Sequence, residues 1–307
     1  MYKNEEAAIL MDQYRSSGLP VTRLLILLSI PGSSYYGKTS LVYLKMGRRP
    51  SRTTGLSSGN EITIVPESEI LAIIRDLLGN EIACYGYKKI TRYLQRSGYK
   101  IYRKKVFRIL KKNSLLNNTY NYGNPARRVV ESIVRVNAPN AIWEMDIKYI
   151  YIHGENRTTC FFAMIDFFTM KVVGKYLGYH CTSDDVKKAM DFAFLDLGIV
   201  KVSHVRIRSD NGTQTVSRTV KLFLSSSGIA HEGIHPATPN EYAHIESFNS
   251  ILEKEVIRRF EFSFFKNTEN TISRFIEFYN DEKLHSAIDY KASMEIYEKW
   301  KESIIEK

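Results

Sequence analysis

"RIRSDNGTQT", residues 206–215, begins as an alternating β-strand and ends on Asp-Asn-Gly, a turn signature. A strand that finishes on a carboxylate has two readings. Asp210 is either a hairpin corner or an acid held out at the end of a sheet. The ten residues alone leave both open, and the flanking pattern decides between them.

Downstream, "SRTVKLFLSSSG" (217–228) has a helical pattern and "IAHEGI" (229–234) reads as a strand. Upstream, "AIWEMDIKYIYI" (141–152), "TTCFFAMIDFFT" (158–169) and "KVVGKYLGYH" (171–180) read as three strands, the last two joined by a tight turn at Asp166 to Met170. "TSDDVKKAMDFAFLDLG" (182–198) is a helix with Thr182 or Ser183 as cap and acids in its first turn. From Asn240 the chain is mostly helical. The order β-β-β-α-β-α-β-α predicts an α/β fold, a five-stranded mixed sheet with helices on its faces. Asp210 then stands at the end of strand four, inside a βαβ alternation and not in a hairpin.

Two other acids fall at comparable places. Asp146 interrupts an apolar strand, where Asp is depleted, and Trp143, Met145, Ile147 and Tyr149 are expected to be buried on one face of it. Glu246 lies in "ATPNEYAHIESFNSILEKEV" (237–256). There Thr238 reads as N-cap, Pro239 as the first helical residue and Glu241 as the far side of a capping box. Ile245, Phe248, Leu252 and Val256 form the core stripe, with Glu246 on its edge. Taken singly, Asp210 could be a turn residue and Glu246 a surface glutamate. Together, three carboxylates on two strands and a helix suit hard divalent cations, Mg²⁺ or Mn²⁺. Two such ions serve in-line displacement at a phosphodiester.

Charge distribution points to a polyanion. Of the net +11, residues 1–140 carry +14 and residues 141–307 carry −3. Between Glu81 and Glu131 there are 13 basic residues and no acid. A solvated basic surface is the bland alternative; a nucleic-acid footprint fits so long an acid-free stretch better. Within it, "YGYKKITRYLQRSG" (85–98) places Ile90, Tyr93 and Leu94 inward and Lys88, Lys89, Arg92 and Arg96 outward. "RKKVFRILKKNSLL" (103–116) places Val106, Phe107 and Leu110 inward, with Arg103, Lys104, Lys105, Arg108, Lys111 and Lys112 as the basic set. The preceding helix, "PESEILAIIRDLL" (66–78), presents Ile70, Ile73, Ile74, Leu77 and Leu78 on one face and ends at Gly79. Three short helices predict an all-α, helix-turn-helix-like module over 61–116. Residues 38–60 and 117–140 read as linkers, and 1–37 as a second small helical segment.

Apolar runs such as Leu24 to Leu28 are too short to cross a bilayer. The first residues carry acids and no cleavage-site pattern, and Cys84, Cys160 and Cys181 share no CxxC spacing. The expectation is a cytoplasmic protein with no membrane partner and no disulfide framework.

Read together, "WEMD" (143–146), "RSDNGTQ" (208–214) and "HPATPNEYAHIESFNSIL" (235–252) resemble the core motifs of DDE transposases and retroviral-type integrases. The 35 residues between Asp210 and Glu246 match that group's spacing. The chain resembles most the second-reading-frame part of insertion-sequence transposases of the IS-three family. "FIEFYNDEKLHSAI" (275–288) is similar to that family's C-terminal tail, and the basic segment to its helix-turn-helix-like module.

The resemblance implies an RNase H-like integrase core over 141–307 with catalytic, metal-ligating Asp146, Asp210 and Glu246 and a pair of Mg²⁺ or Mn²⁺ ions. It implies strand cleavage at terminal inverted repeats, then attack of the freed 3′-OH on target DNA. It implies a homodimer or higher oligomer on double-stranded DNA, a first-frame helix-turn-helix/leucine-zipper partner, and a bacterial, nucleoid-associated setting. Two alternatives are a catalytically idle DNA-binding regulator and another RNase H-like nuclease. One departure stands out. Seven residues after Glu246, where a Lys or Arg is usual, the chain has Glu253; Lys254 follows and is the expected substitute, with Arg258 nearby on the DNA-facing set.

Overall fold

The computed structural model describes Tyr14 and residues 20–27, 29, 51, 53–58, 61–116, 136–196, 205–210, 212, 217–233 and 243–305. The chain divides into two compact units, Met1–Arg52 and Thr53–Lys307. In the first, helix α1 (Val21–Leu27) buries Leu24 and Leu25. The turn expected after it lies largely outside the described residues.

The second unit opens with a hairpin, β1 (Thr53–Ser58) paired antiparallel with β2 (Glu61–Pro66) from Thr53↔Pro66 to Ser58↔Glu61. Helices α2 (Glu67–Gly79) and α3 (Tyr87–Arg96) follow, then the short β3 (Tyr99–Lys100) and helix α4 (Arg103–Lys112). Strand β3 pairs with β1, giving a three-stranded sheet of order β2-β1-β3. Two expectations are corrected here. Residues 53–58 are a strand and not linker, and the basic module is mixed α and β, not all-α. A strand of Thr, Gly, Leu and Ser carries no period of its own; it is held by backbone ladders on both sides. The three helices meet through Ile70, Ile74, Ile90, Leu94, Val106, Ile109 and Leu110, all fully buried. Phe107, expected inward, is exposed and meets Tyr87 edge-on; Ile109 takes the inward place.

The central sheet matches the expectation. Strands β4 (Ile142–Ile152), β5 (Arg157–Asp166), β6 (Val172–Gly178), β7 (Arg206–Ser209) and β8 (Ala230–Gly233) lie in the order β6-β5-β4-β7-β8. The β4–β5 and β5–β6 pairs are antiparallel, and β4–β7 and β7–β8 are parallel. Between them run α5 (Ser183–Asp196) and α6 (Arg218–Ser226), the latter capped by Ser217 Oγ accepting from the Val220 N–H. After β8 come α7 (Ala243–Leu252), a π-helical turn over Glu253–Ile257, α8 (Phe265–Asp281) and α9 (Ser293–Ile305).

Strand alternation sorts the side chains into two cores. Trp143, Met145, Phe162 and Met164 face α5 and α6, with Val186, Met190, Phe194, Val220 and Leu224. Gly174 allows α5 that approach: a Cβ there would lie 2.5 Å from Met164 Cε and 3.3 Å from the Ala189 carbonyl oxygen. Ile150, Ile152, Phe161, Ala163 and Ile165 face the opposite way, in the core that holds Ile245, Phe248 and Leu252 of α7 and Ile272 and Phe275 of α8. Tyr149, expected in the buried row of β4, is 62% exposed.

This second core also contains the helices of the basic module. Tyr85 Oη donates to the Glu282 carbonyl and accepts from the Leu284 N–H, both at 3.1 Å. Fully buried Lys283 pairs with Glu255 at 2.5 Å. The basic module is therefore fastened to the C-terminal tail by apolar packing and by bonded polar groups.

Candidate active site

Three elements bring the acids into one neighbourhood. The parallel register of β4 and β7 sets Met145 opposite Ser209, so Asp146 and Asp210 follow as neighbours on adjacent strands. Both lie where β7 ends and β4 continues. On β4 the period of two puts Glu144, Asp146 and Lys148 on the face turned toward α7. Asn249 of α7 donates from Nδ2 to Asp146 Oδ2 at 2.7 Å. Glu246 stands three residues before Asn249, one helical turn away on the same side.

The electrostatics of Asp146 follow from this placement. Burial raises the Asp146 carboxyl to a pKa of about 6, opposed by a hydrogen bond from the Ile147 N–H. Asp210 and Glu246 raise it further by repulsion, while Lys148 lowers it. A carboxyl crowded by two others and offering only hard oxygen donors fits a divalent cation chemically. The acids are nonetheless not gathered into a cage: among the described residues no group of three or more His, Cys, Asp or Glu side chains could hold a metal ion. Asp146 is turned to Asn249 and to its own neighbour Ile147 at 2.8 Å, and Asp210 Oδ1 accepts from the Gly212 N–H at 3.0 Å. The three share a field, and the oxygens of Asp146 and Asp210 are engaged by the protein.

Asp210 has a further support. Ser209 Oγ lies 2.9 Å from His231 Nε2 and 2.8 Å from the Asp210 carbonyl oxygen, so β8 helps to fix the end of β7. The N-cap expected at Thr238, with Pro239 and Glu241, lies outside the described residues. What the described helix start shows instead is Glu144. Its Oε2 accepts from the His244 and Ile245 N–H groups at 3.1 and 2.9 Å. Sequence reasoning passed over Glu144; the available signal was a second acid alternating with Asp146 inside a largely apolar strand.

The basic residues divide. Lys88, Arg103, Lys104, Lys111 and Lys112 are exposed, as expected. Lys89, expected outward, turns in beside the Tyr85 ring, and burial, then repulsion from Lys283, lower its pKa to about 8. Arg92 stacks on Tyr290, 5.0 Å from the ring centroid, and Arg96 pairs with Glu295 at 2.5 Å. Lys105 donates to the Thr53 carbonyl and Thr54 Oγ1 at 2.5 and 2.7 Å, and Arg108 pairs with Glu67 at 2.5 Å. These five also make contacts within the unit, Arg96 while remaining exposed: a helix in a compact domain has neighbours on more than one side. Lys254 lies exposed in the π-helical turn, where counting by 3.6 residues from Glu246 no longer holds. Glu253, in contrast, binds Lys148 and Arg258, both at 3.0 Å. The cation whose charge reaches Asp146 from β4 itself is Lys148.

Two family models, both described as integrase core domain, match residues 136–239 and 227–292, which together span just over half of the chain. The chain is 26% identical over 251 residues to an insertion element IS407 protein of 31.7 kDa from Burkholderia multivorans, covering 81% of this chain and 89% of that one. It is 24% identical over 274 residues to a transposase InsK of insertion sequence element IS150 from Escherichia coli, with 86% and 89% covered. Among solved structures, the HTLV-2 integrase catalytic core domain in complex with magnesium covers 53% of this chain and 99% of its own at 21% identity, with a TM-score of 0.41. Residues 136–292 thus match the integrase core domain, and the chain is similar to transposases of insertion sequences. Its sheet is the five-stranded mixed sheet expected from the order of its elements. No described helix is long and apolar enough to cross a membrane.

Proposed function

We propose that this DNA transposase is of the IS-three family and carries out divalent-metal-dependent cleavage and strand transfer at the terminal inverted repeats of its insertion sequence. Asp146, Asp210 and Glu246 would hold Mg²⁺ or Mn²⁺, as two ions. When bound, the ions supply charge stabilisation for an in-line displacement at phosphorus. The chain's own residues position and hold. The middle of β4 and the end of β7 carry two of the acids at fixed spacing, and α7 carries the third across from them. Lys148 offers a positive charge beside Asp146, and Asn249 offers an amide that keeps Asp146 in place until a cation takes it.

Support comes above all from one observation: the pairing of Met145 with Ser209 makes Asp146 and Asp210 neighbours, and Asn249 ties the helix of Glu246 to the first of them. The exposed cations Lys88, Arg103, Lys104, Lys111 and Lys112 suit phosphate contacts to the terminal repeats, with target DNA lying nearer the acids. Pairing two DNA ends calls for a homodimer or higher oligomer, with a first-frame helix-turn-helix/leucine-zipper protein as partner, in the bacterial cytoplasm at the nucleoid.

The test is cleavage of an end-bearing duplex with Mg²⁺ or Mn²⁺. Asp146→Asn, Asp210→Asn and Glu246→Gln should each abolish cleavage and leave duplex binding nearly intact. A variant that cleaves at the wild-type rate removes its residue from the ligand set. A wild-type chain that binds ends and never cleaves them favours the idle regulator.

A further inference from the structure

Glu144 is fully buried in the middle of the central sheet. An acid in that position is unfavourable unless its oxygens are satisfied. Its three contacts, two to His244 and one to Ile245, are made 100 residues or more away in sequence, on one turn of α7. Oε2 accepts from two backbone N–H groups, and Oε1 lies 3.2 Å from His244 Nδ1. The His244 ring is held on its other side by Phe167, with centroids 3.9 Å apart. N–H groups of a first helical turn need acceptors and mark the positive end of the helix dipole. Glu144 supplies the acceptor from across the core.

The helix is thus fastened to β4 twice. Glu144 grips the residues just before Glu246, and Asp146 grips Asn249 one turn later. Glu246 lies between the two fastenings. The second depends on an oxygen that a cation would claim; the first uses no ligand at all.

We propose that Glu144 is a positioning residue for Glu246: it docks the start of α7 on β4 and holds the third acid opposite Asp146 when Asp146 turns to a cation. This rests on the reading of the three acids as a cation site. His244 contributes by filling the gap between Glu144 and Phe167.

The experiment uses the full chain with Glu144→Leu, which keeps the bulk, and Glu144→Gln, which keeps an acceptor oxygen. In metal-free protein, amide exchange at His244 and Ile245 should quicken on the order of tenfold or more in the leucine variant, with the amides of β5 unchanged. Glutamine should stay within about threefold of wild type, because its carbonyl oxygen still accepts both N–H groups. In the cleavage assay the leucine variant should lose about 10–100-fold in kcat, the usual scale for a group that orients a ligand, with little change in KM for DNA. Wild-type exchange and wild-type kcat in the leucine variant overturn the inference. If the leucine chain does not fold, Asn249→Ala decides: His244 and Ile245 should remain protected while Glu144 is present, and their exposure defeats the proposal. A wild-type protein that shows no metal-dependent cleavage defeats the site reading separately, and the exchange measurement still judges the docking role.

Discussion

Replacing Asp146 with Asn should make the metal-free protein more stable while removing its activity. In the fold, the Asp146 pKa rises from 3.8 to about 6. The protonated form is therefore favoured in the native state. The stability this group contributes is fully present below its unfolded value of 3.8 and is lost as pH rises through about 6. A shift of this size corresponds to about 3 kcal/mol at pH 8. Asparagine avoids that repulsion and desolvation. Its Oδ1 can still accept from the Ile147 N–H, and Asn249 can turn its amide to present oxygen instead of nitrogen. Thermal unfolding in EDTA at pH 8 should show the variant higher by several degrees, at roughly 2–4 °C per kcal/mol for a chain of this size. The gap should close as pH falls toward 4. Adding Mn²⁺ should raise wild type, by about 2.7 kcal/mol at a hundred times its dissociation constant, and leave Asp146→Asn unmoved. A variant no more stable than wild type in EDTA at pH 8, or a gap that persists at pH 4, would refute the crowding argument.

Neutralising Arg103, Lys104, Lys111 and Lys112 together should weaken duplex binding and reduce the slope of log affinity against log salt by about 3–4, measured by fluorescence anisotropy. Arg96→Ala, which loses a half-exposed ion pair with Glu295, should leave that slope unchanged and cost at most about 1 kcal/mol in a denaturant melt. His285 is buried against Tyr279, and burial above all lowers its pKa from 6.5 to about 4, with Lys89 and Lys283 adding repulsion. The fold prefers the neutral ring, so the associated stability, about 3 kcal/mol, is present above pH 6.5 and is lost as pH falls toward 4. A His285→Gln variant should show a shallower loss across that window in acid titrations of unfolding. Lys283→Ala leaves Glu255 without its buried partner and should cost about 3–5 kcal/mol, read from equilibrium urea unfolding.

The five-strand order, the helices between strands and the three acids were legible in the amino-acid sequence by itself. Each of those features is written in adjacent residues: alternation along "AIWEMDIKYIYI", the 3.6-residue period of α2, the acid at the end of "RIRSD". Other features had no local mark. Strand β1 exists because β2 and β3 supply ladders on both sides of it. Lys89 and Arg96 look like any solvated cations until the C-terminal tail, with Lys283 and Glu295, folds back on them. Glu144 looks misplaced until the first turn of α7 arrives from 100 residues away to use its oxygens. Periodicity and capping act between near neighbours, so a chain carries them openly. The partner of a buried charge is chosen by packing between distant segments, and only the folded molecule states which one it is.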